Sequence, residues 1–95
     1  MTERTPVTVT HDAAAGRFEA VVDGRRCELD YVLRNGVAVM HHTGVPPALE
    51  GRGIAGQLVQ AAMAHARQAG WKVQPSCSYV AAWMRRHPDS QDLLA

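Results

Sequence analysis

Residues 45–56 read VPPALEGRGIAG, between a stretch with strand character and the most regular helical pattern in the chain. Three glycines, Gly51, Gly53 and Gly56, allow the backbone to turn sharply and to bring N–H groups close to a ligand. At the start of a helix such N–H groups have no intrahelical partner and carry the positive end of the helix dipole. The segment is therefore typical of a pyrophosphate-binding loop, although a simple connection between strand and helix has the same glycines.

Arg52 adds a full positive charge to this segment. The spacing does not match a P-loop, which requires Lys followed by Ser or Thr. It does not match a dinucleotide-binding fingerprint either, because the surrounding chain lacks the alternating parallel strands of that fold. Glycine spacing alone leaves both interpretations of the segment open.

After the segment, apolar residues recur every three or four positions from 54 to 69, which predicts a long amphipathic helix. Residues 71–75 have the length of a short strand. Ser78 can cap the start of a second helix over residues 79–87. Pro88 follows directly and stops this helix. We expect the tail, residues 89–95, to be irregular.

Before the segment, the sequence has the two-residue period of strands. The predicted strands cover residues 7–10, 17–22, 27–33 and 37–43. Asp23-Gly24 and Asn35-Gly36 favour type I′ turns, which join antiparallel strands tightly. The first half of the chain is therefore predicted to form an antiparallel meander.

The order of these elements predicts an α+β fold, in which two helices cover one curved, mostly antiparallel sheet. The third strand is expected to bury Cys27, Leu29, Tyr31 and Leu33 on one face. The continuous apolar run at residues 37–40 predicts a more central strand that is buried on both faces. A chain of 95 residues has room for one core, so we expect a single domain over residues 1–95.

The composition excludes several classes of protein. A formal net charge of +1 argues against nucleic-acid binding, which needs a clear basic excess. Nine of the ten basic residues are Arg, whose planar guanidinium binds carboxylates and phosphates well. The composition is therefore compatible with a small anionic ligand. No apolar run approaches the ~20 residues that span a bilayer, and the first residues lack the apolar core of a secretion signal. We expect a soluble, cytoplasmic protein that binds neither nucleic acid nor membrane.

The two cysteines are too few for a disulfide framework. No pair of His, Cys, Asp or Glu residues has the spacing of metal ligands, so we expect no bound metal. Cys27 alternates with apolar residues and is expected in the core. Cys77 follows a predicted strand and precedes a predicted helix N-terminus, a position that lowers a thiol pKa. It is either a reactive thiolate or a small buried side chain at a strand–helix junction.

The stretch EGRGIA at residues 50–55 resembles the acyl-CoA pyrophosphate loop of the GNAT-type N-acetyltransferases. The pattern of that loop is Gln or Arg, two free positions, Gly, one free position, and Gly or Ala. Gly53 and Ala55 match it, whereas Glu50 stands where the family has Gln or Arg. The backbone donors of the loop are unaffected by that difference, because they do not depend on the side chain at this position.

Three further motifs, HTGVP at 42–46, PSCSYV at 75–80 and RRHP at 85–88, are similar to those of a subfamily of very small, single-domain GNAT-like proteins. The motifs have the same order in that subfamily, so the resemblance covers nearly the whole chain. It implies a shortened GNAT fold in which the strand ending near Val45 splays from the strand at 71–75. In the family, the pantetheine arm of acetyl-CoA lies in the resulting cleft.

The resemblance also implies how coenzyme A is held. Main-chain groups of residues 43–45 would bind the pantetheine amides, and N–H groups of residues 51–56 would bind the pyrophosphate. The implied cofactor-binding residues are Thr43, Gly44, Val45, Gly51, Arg52, Gly53, Ile54, Ala55 and Gly56. The acyl group would then point toward Cys77, which is a candidate to receive it or to deprotonate an incoming amine.

Two further side chains are candidates for catalysis. His42 matches the recurring histidine of the subfamily, and it is either a base or substrate-orienting group or a structural hydrogen-bonding residue. Tyr79 is a candidate to protonate the leaving CoA thiolate, as tyrosines do in many GNAT enzymes, but its apolar neighbours are also typical of a core tyrosine. His11 and His65 are expected to be packing or solvated residues.

The leading functional hypothesis is an N-acetyltransferase that moves an acetyl group from acetyl-CoA to the amine of a small molecule or peptide. The alternative is a CoA-binding or protein-interaction module of the same fold without catalytic activity. A third hypothesis, a purely structural α+β domain, predicts no CoA binding. A small core with an open sheet edge is compatible with a monomer or a homodimer.

Overall fold

The computed structural model describes residues 4–95 and contains one five-stranded mixed sheet with two α-helices. The strands are β1 (Thr10–Asp12), β2 (Arg17–Val22), β3 (Arg25–Arg34), β4 (Val37–Gly44) and β5 (Lys72–Pro75). The helices are α1 (Ile54–Ala69) and α2 (Ser78–Arg86), with short 3-10 helices at Pro47–Leu49 and Pro88–Leu93. The strands lie in chain order, antiparallel from β1 to β4 and parallel between β4 and β5. The predicted α+β fold is confirmed.

Two tight turns hold the meander in register. Asp23 and Asn35 both have a φ of 50°, and the glycines that follow them have φ values of 73° and 78°. Positive φ at both central residues is the geometry of the type I′ turn, which matches the twist of the strands it joins. The two turn predictions are therefore correct, and they explain why β2, β3 and β4 are neighbours.

The core lies between one face of the sheet and the two helices. Its large members include Phe18, Leu29 and Met40 of the sheet, Leu58 and Val59 of α1, and Val80 and Met84 of α2. No element of the described chain covers the other face, on which Val21 and Val32 are exposed. We call these the helix-covered face and the outer face. Among residues 4–95 no helix is long and apolar enough to cross a membrane.

The predicted first strand, residues 7–10, is wrong. The strand covers Thr10–Asp12 instead, and the Val7 N–H donates to Oε1 of Gln57 at 3.0 Å. The amide side chain of Gln57 also donates to the Thr5 carbonyl at 2.6 Å. Because the segment before β1 bonds to α1 rather than to β2, its alternating Val and Thr residues do not form a strand.

The sheet also departs from the predicted burial pattern. Leu33 is 45% exposed, because it lies near the turn at the end of β3. Residues 37–40 are not buried on both faces: Ala38 and Met40 are buried, whereas Val37 and Val39 are only partly covered. The outer face has no covering layer, so a central strand of this sheet alternates like the others.

The second half differs at its caps and its tail. Cys77, not Ser78, occupies the N-cap position of α2, with φ −74° and ψ 130°. The tail predicted to be irregular forms the 3-10 helix Pro88–Leu93, followed by a bridge between Leu94 and Val73. Side-chain bonds order this tail: the Ser90 hydroxyl donates to the His87 carbonyl at 2.6 Å, for example. The pattern of hydrophobic residues in a sequence does not indicate such side-chain hydrogen bonds.

Candidate functional site

A cleft opens where β4 and β5 separate. Their register ends at the pair Met40 and Pro75, and the Cys77 N–H donates to the Met40 carbonyl at 2.9 Å. At Ser76 the chain leaves the ladder, because its N–H donates to the Gln74 carbonyl at 3.1 Å instead of to β4, and the chain continues into α2. Residues 41–44 of β4 therefore have no strand neighbour on that edge within the described chain.

The cleft has a volume of about 560 Å³. Its walls are Thr43, Gly44, Val45, Leu49, Glu50, Gly51, Gly53, Ile54, Ala55 and Tyr79. All the residues predicted to bind coenzyme A line this cleft except Arg52 and Gly56. The structure thus brings the end of β4 and the start of α1 together around one space.

The start of α1 supplies free backbone donors to this space. Gly53 is the N-cap, with a left-handed φ of 74°. The first helical N–H groups, those of Ile54, Ala55 and Gly56, enter no hydrogen bond among residues 4–95. Unpartnered N–H groups at a helix N-terminus bind anions well, because the helix dipole adds to their own partial charge.

The Arg52 side chain turns away from the cleft. Its guanidinium donates to Oδ2 of Asp23 at 3.1 Å and to Oγ1 of Thr5 at 2.9 Å. The Arg52 carbonyl also accepts from the Thr5 N–H at 2.9 Å. In this conformation the guanidinium anchors the segment before β1, and only the backbone of Arg52 lies in the loop.

Gly56 lies beside the cleft and lines the neighbouring groove between α1 and the tail. A Cβ at Gly56 would lie 3.6 Å from the hydroxyl of Tyr79. The end of the Tyr79 side chain therefore lies close to α1 at this glycine.

Cys77 stands behind the cleft wall. Its Sγ lies 3.6 Å from Oγ1 of Thr43, which lines the cleft, although Cys77 itself does not. Burial raises the pKa of the thiol, but the Val80 N–H, the Thr43 hydroxyl and the Tyr79 N–H are placed to stabilise the thiolate and outweigh burial, so the pKa lies below its ordinary value. The neutral thiol donates to Oγ1 of Thr43 and accepts no capping bond, whereas the thiolate can accept from all three donors.

Cys27 has the opposite environment. It is fully buried in the sheet core, and burial raises the pKa of its thiol. The prediction that Cys27 packs in the core is confirmed. A buried thiol without donors to its anion stays protonated and inert.

His42 lies on the outer face of β4. It is paired with Asp30 in the register, whereas the next residue, Thr43, is paired with buried Leu29. The His42 Nε2 lies 3.1 Å from Oε2 of Glu28, also on the outer face. His42 and Cys77 therefore flank the open edge of β4 from opposite faces of the sheet.

Tyr79 belongs to the cleft rather than the core. It is 40% exposed and lines the cleft wall, so the core interpretation is wrong. In α2 the buried positions are Val80 and Met84, four residues apart, and Tyr79 falls to one side of that stripe.

Leu49 and Glu50 line the cleft but were not among the predicted binding residues, although Glu50 belongs to the predicted loop. Leu49 ends the 3-10 helix that the two prolines start, and its side chain is 2% exposed. Nothing in the spacing of the loop distinguishes it from a simple connector residue. Within residues 4–95 no three His, Cys, Asp or Glu side chains are grouped to hold a metal.

Comparison with known proteins adds independent findings. The family model described as GCN5-related N-acetyl-transferase matches residues 17–93. Protein NATD1 of Mus musculus is 30% identical over 91 residues, which cover 93% of this chain and 83% of that protein. Protein NATD1 of Xenopus tropicalis is 32% identical over 97 aligned positions, with 98% and 88% coverage. The NMR structure of a GCN5-like protein from Staphylococcus aureus has a TM-score of 0.74 and 25% identity, covering 94% of this chain and 88% of that one.

Proposed function

The chain belongs to the GCN5-related N-acetyltransferase family, and from that premise we propose that it transfers the acetyl group of acetyl-CoA to an amine. The observation that carries the proposal is the cleft at the open edge of β4, which ends at the free N–H groups of α1. Acetyl-CoA carries an anionic pyrophosphate, which fits the N–H groups at the α1 end of the cleft that are unpartnered within residues 4–95. Membership of the family supports an acetyltransferase-like fold. Acetyl transfer is tested by the experiments described below.

The cleft suits coenzyme A in two parts. The pantetheine amides would bond to main-chain groups of residues 43–45, which have no strand partner on the cleft side. The pyrophosphate would accept from the N–H groups of Ile54 to Gly56, with left-handed Gly51 and Gly53 allowing close approach. The thioester would then lie at the open edge of β4, between Thr43 and Tyr79.

In direct transfer the amine lone pair forms a bond to the thioester carbonyl carbon, and the bond from that carbon to sulfur breaks. The amine proton passes to His42, and the leaving CoA thiolate takes a proton from Tyr79 or from solvent. Bringing donor and amine together at one edge lowers the entropic part of the barrier. The amine arrives from the outer face, because the helices cover the other face.

A second route uses Cys77 as the nucleophile. Its thiolate attacks the thioester carbon and releases the CoA thiolate, and the amine then attacks the acetyl-cysteine and restores the thiol. The lowered thiol pKa supports this route. Cys77 stands behind Thr43, so the route requires the acetyl group to reach past that side chain.

A CoA-binding module without turnover is the second candidate. The observation that favours it is the open outer face, since the described chain provides no walled pocket there for an acceptor. Both candidates predict that coenzyme A binds. They differ in whether free CoA thiol is released when acetyl-CoA meets an acceptor.

Calorimetry with coenzyme A and acetyl-CoA is the first experiment, and a binding isotherm with one site per chain is the expected result. Absence of binding would remove both candidates and leave a structural domain. A panel of polyamines, amino acids and lysine peptides with acetyl-CoA then separates the two. Release of free thiol with at least one amine supports transfer, and binding without release on the whole panel supports the module.

A further inference from the structure

Glu28 and His42 form a side-chain pair on the outer face, next to the cleft. Oε2 of Glu28 lies 3.1 Å from Nε2 of His42. The side chain of Glu28 is 19% exposed and that of His42 is 49% exposed. The carboxylate of Glu28 is therefore mostly covered, whereas the imidazole of His42 is open to solvent.

Gly44 makes room for this pair. It stands directly opposite Glu28 in the register of β3 and β4. A Cβ at Gly44 would overlap the Glu28 carboxylate and lie 2.9 Å from the His42 Nε2. The backbone of Gly44 has no positive φ, so the glycine is needed for space rather than for conformation. The same glycine lines the cleft, which places the pair against the cleft wall.

Neighbouring charges leave Glu28 as the partner of His42. Asp30 is opposite His42 in the register, but its carboxylate is bound to Arg17 at 2.7 Å. The second oxygen of Glu28 lies 3.3 Å from Nε of Arg26. One carboxylate thus holds both a guanidinium and the imidazole, while the other is committed to a different arginine.

The direction of the hydrogen bond decides which nitrogen of His42 is free. A carboxylate only accepts, so the Nε2 of His42 carries the proton and donates it to Glu28. In the neutral ring the lone pair then lies on Nδ1. No hydrogen bond among residues 4–95 uses that atom of His42.

We propose that Glu28 is a positioning residue for His42, made possible by the missing side chain of Gly44, and that it holds His42 with Nδ1 free to accept the amine proton. The role rests on the proposed acetyl transfer, but the pair itself does not. Glu28 touches neither donor nor acceptor. It acts by fixing the tautomer and the ring orientation, which a base on an exposed strand otherwise lacks.

The first test is NMR of the His42 ring, which requires no turnover. In the unmodified protein the Nε2 proton is expected to exchange slowly enough to be observed, because it is held by a carboxylate. Glu28→Ala is expected to abolish that signal, and Gly44→Ala is expected to do the same by displacing the carboxylate. Glu19→Ala is the matched control, since Glu19 pairs with Glu28 in the register and contacts Arg26 at 4.0 Å but not His42.

The second test is kinetic. Glu28→Ala is expected to lower kcat by about 10- to 100-fold, part of the roughly 10²- to 10⁴-fold that a positioned base contributes, with CoA affinity unchanged. Glu28→Gln keeps an oxygen acceptor at the same reach and is expected to retain the Nε2 proton signal and most of the turnover. Glu19→Ala is expected to match the unmodified protein.

The outcomes separate this inference from the proposed function. An unchanged kcat in Glu28→Ala, or an unmodified protein that turns over without a protected Nε2 proton, overturns the role of Glu28 and leaves acetyl transfer intact. A protein that shows the protected proton but binds no coenzyme A overturns acetyl transfer, and the catalytic role of the pair falls with it.

Discussion

The two ends of the sheet treat similar side chains differently. Near β1, five rings pack together: His11, Phe18, Tyr31, His65 and Trp71. In this aromatic cluster His11 stacks on Phe18 with ring centroids 4.2 Å apart. Its Nε2 also lies 2.6 Å from the hydroxyl of Tyr31. At the open end of β4, by contrast, His42 is half exposed and the N–H groups that start α1 have no partner in the described chain.

One end of the sheet therefore serves packing, whereas the other end leaves polar groups available for binding. In the aromatic cluster the imidazole of His11 and the hydroxyl of Tyr31 bind each other, and burial together with nearby His65 lowers the pKa of His11. Around the cleft, the N–H groups that start α1 have no partner among residues 4–95, and those that start α2 lower the pKa of Cys77. The expectation that His11 and His65 are packing residues agrees with their ring contacts, 4.3 Å between centroids. The following predictions test this division, from the largest expected effect to the smallest.

Gly53→Val is expected to abolish CoA binding at the cleft. A valine at a φ of 74° is strained and would shift the N–H groups that face the anion. Loss of two charge-assisted hydrogen bonds, at roughly 1.5 kcal/mol each, weakens binding by about 100-fold or more. Calorimetry measures the loss. Gly36→Val has a similar φ of 78° in a turn that does not line the cleft, and it should keep the affinity.

Arg52→Ala completes that experiment. Because its guanidinium is bound to Asp23 and Thr5, we expect less than a tenfold change in CoA affinity. Normal affinity in Gly53→Val would place the anion elsewhere than at α1.

Alkylation contrasts the two cysteines directly. Cys77 is expected to react with iodoacetamide at neutral pH at least about tenfold faster than Cys27, because the thiolate is the nucleophile and only Cys77 has a lowered pKa. Mass spectrometry of timed digests gives both rates. Bound coenzyme A should slow the reaction of Cys77. Equal rates at both sites would show that α2 does not activate its N-cap thiol.

Cys77→Ser separates the two routes of transfer. Serine keeps nearly the same volume but is not ionised near neutral pH, so a nucleophilic thiol predicts a fall in kcat of about 100-fold with CoA affinity kept. Cys27→Ser is the comparison: it buries a hydroxyl in the core and should lower stability while the folded fraction remains active. Full activity of Cys77→Ser would leave direct transfer as the mechanism.

His42→Gln is expected to lower kcat by about 10- to 100-fold, because glutamine cannot accept the amine proton. The thermal midpoint should change by no more than a few degrees, since the side chain is half exposed on the outer face. His41→Gln, on the same strand and also exposed, is the control. A variant at His42 with normal turnover would reduce this residue to a structural role.

The aromatic cluster predicts the smallest effect, a loss of stability in acid. Burial lowers the pKa of His11, so the unfolded chain binds the proton more readily than the folded protein. Stability is therefore complete above the unfolded pKa of about 6.5 and falls as the pH drops below it toward the folded value. Urea unfolding at pH 7.5, 6.5 and 5.5 measures the slope.

His11→Phe keeps the ring stacking and cannot be protonated, so it should flatten that slope. The Arg17 hydrogen bond lowers the pKa of Asp30, but this contribution is lost only below the ordinary aspartate pKa, in a separate window. A slope that persists in His11→Phe would assign the acid sensitivity to another group.

Much of the fold could be predicted because its signals are local. The two turn pairs, the helix over residues 54–69 and the strand at residues 17–22 agree with the structure. The predicted first strand failed because the Val7 N–H prefers a side chain on α1, fifty residues away. A two-residue period indicates which side chains share a face, but it does not indicate which partner the backbone will find.

The sequence by itself determined the family, the single α+β layer and the glycine loop at the start of α1, because these depend on residues close together in the chain. Only the tertiary structure decided that Arg52 turns to Asp23, that Tyr79 faces the cleft, and that Glu28 reaches His42 across Gly44. The contact between Glu28 and His42 joins β3 to β4, and it is possible because Gly44 has no side chain. Contacts of that kind follow from register, which the folded sheet sets by packing many side chains at once.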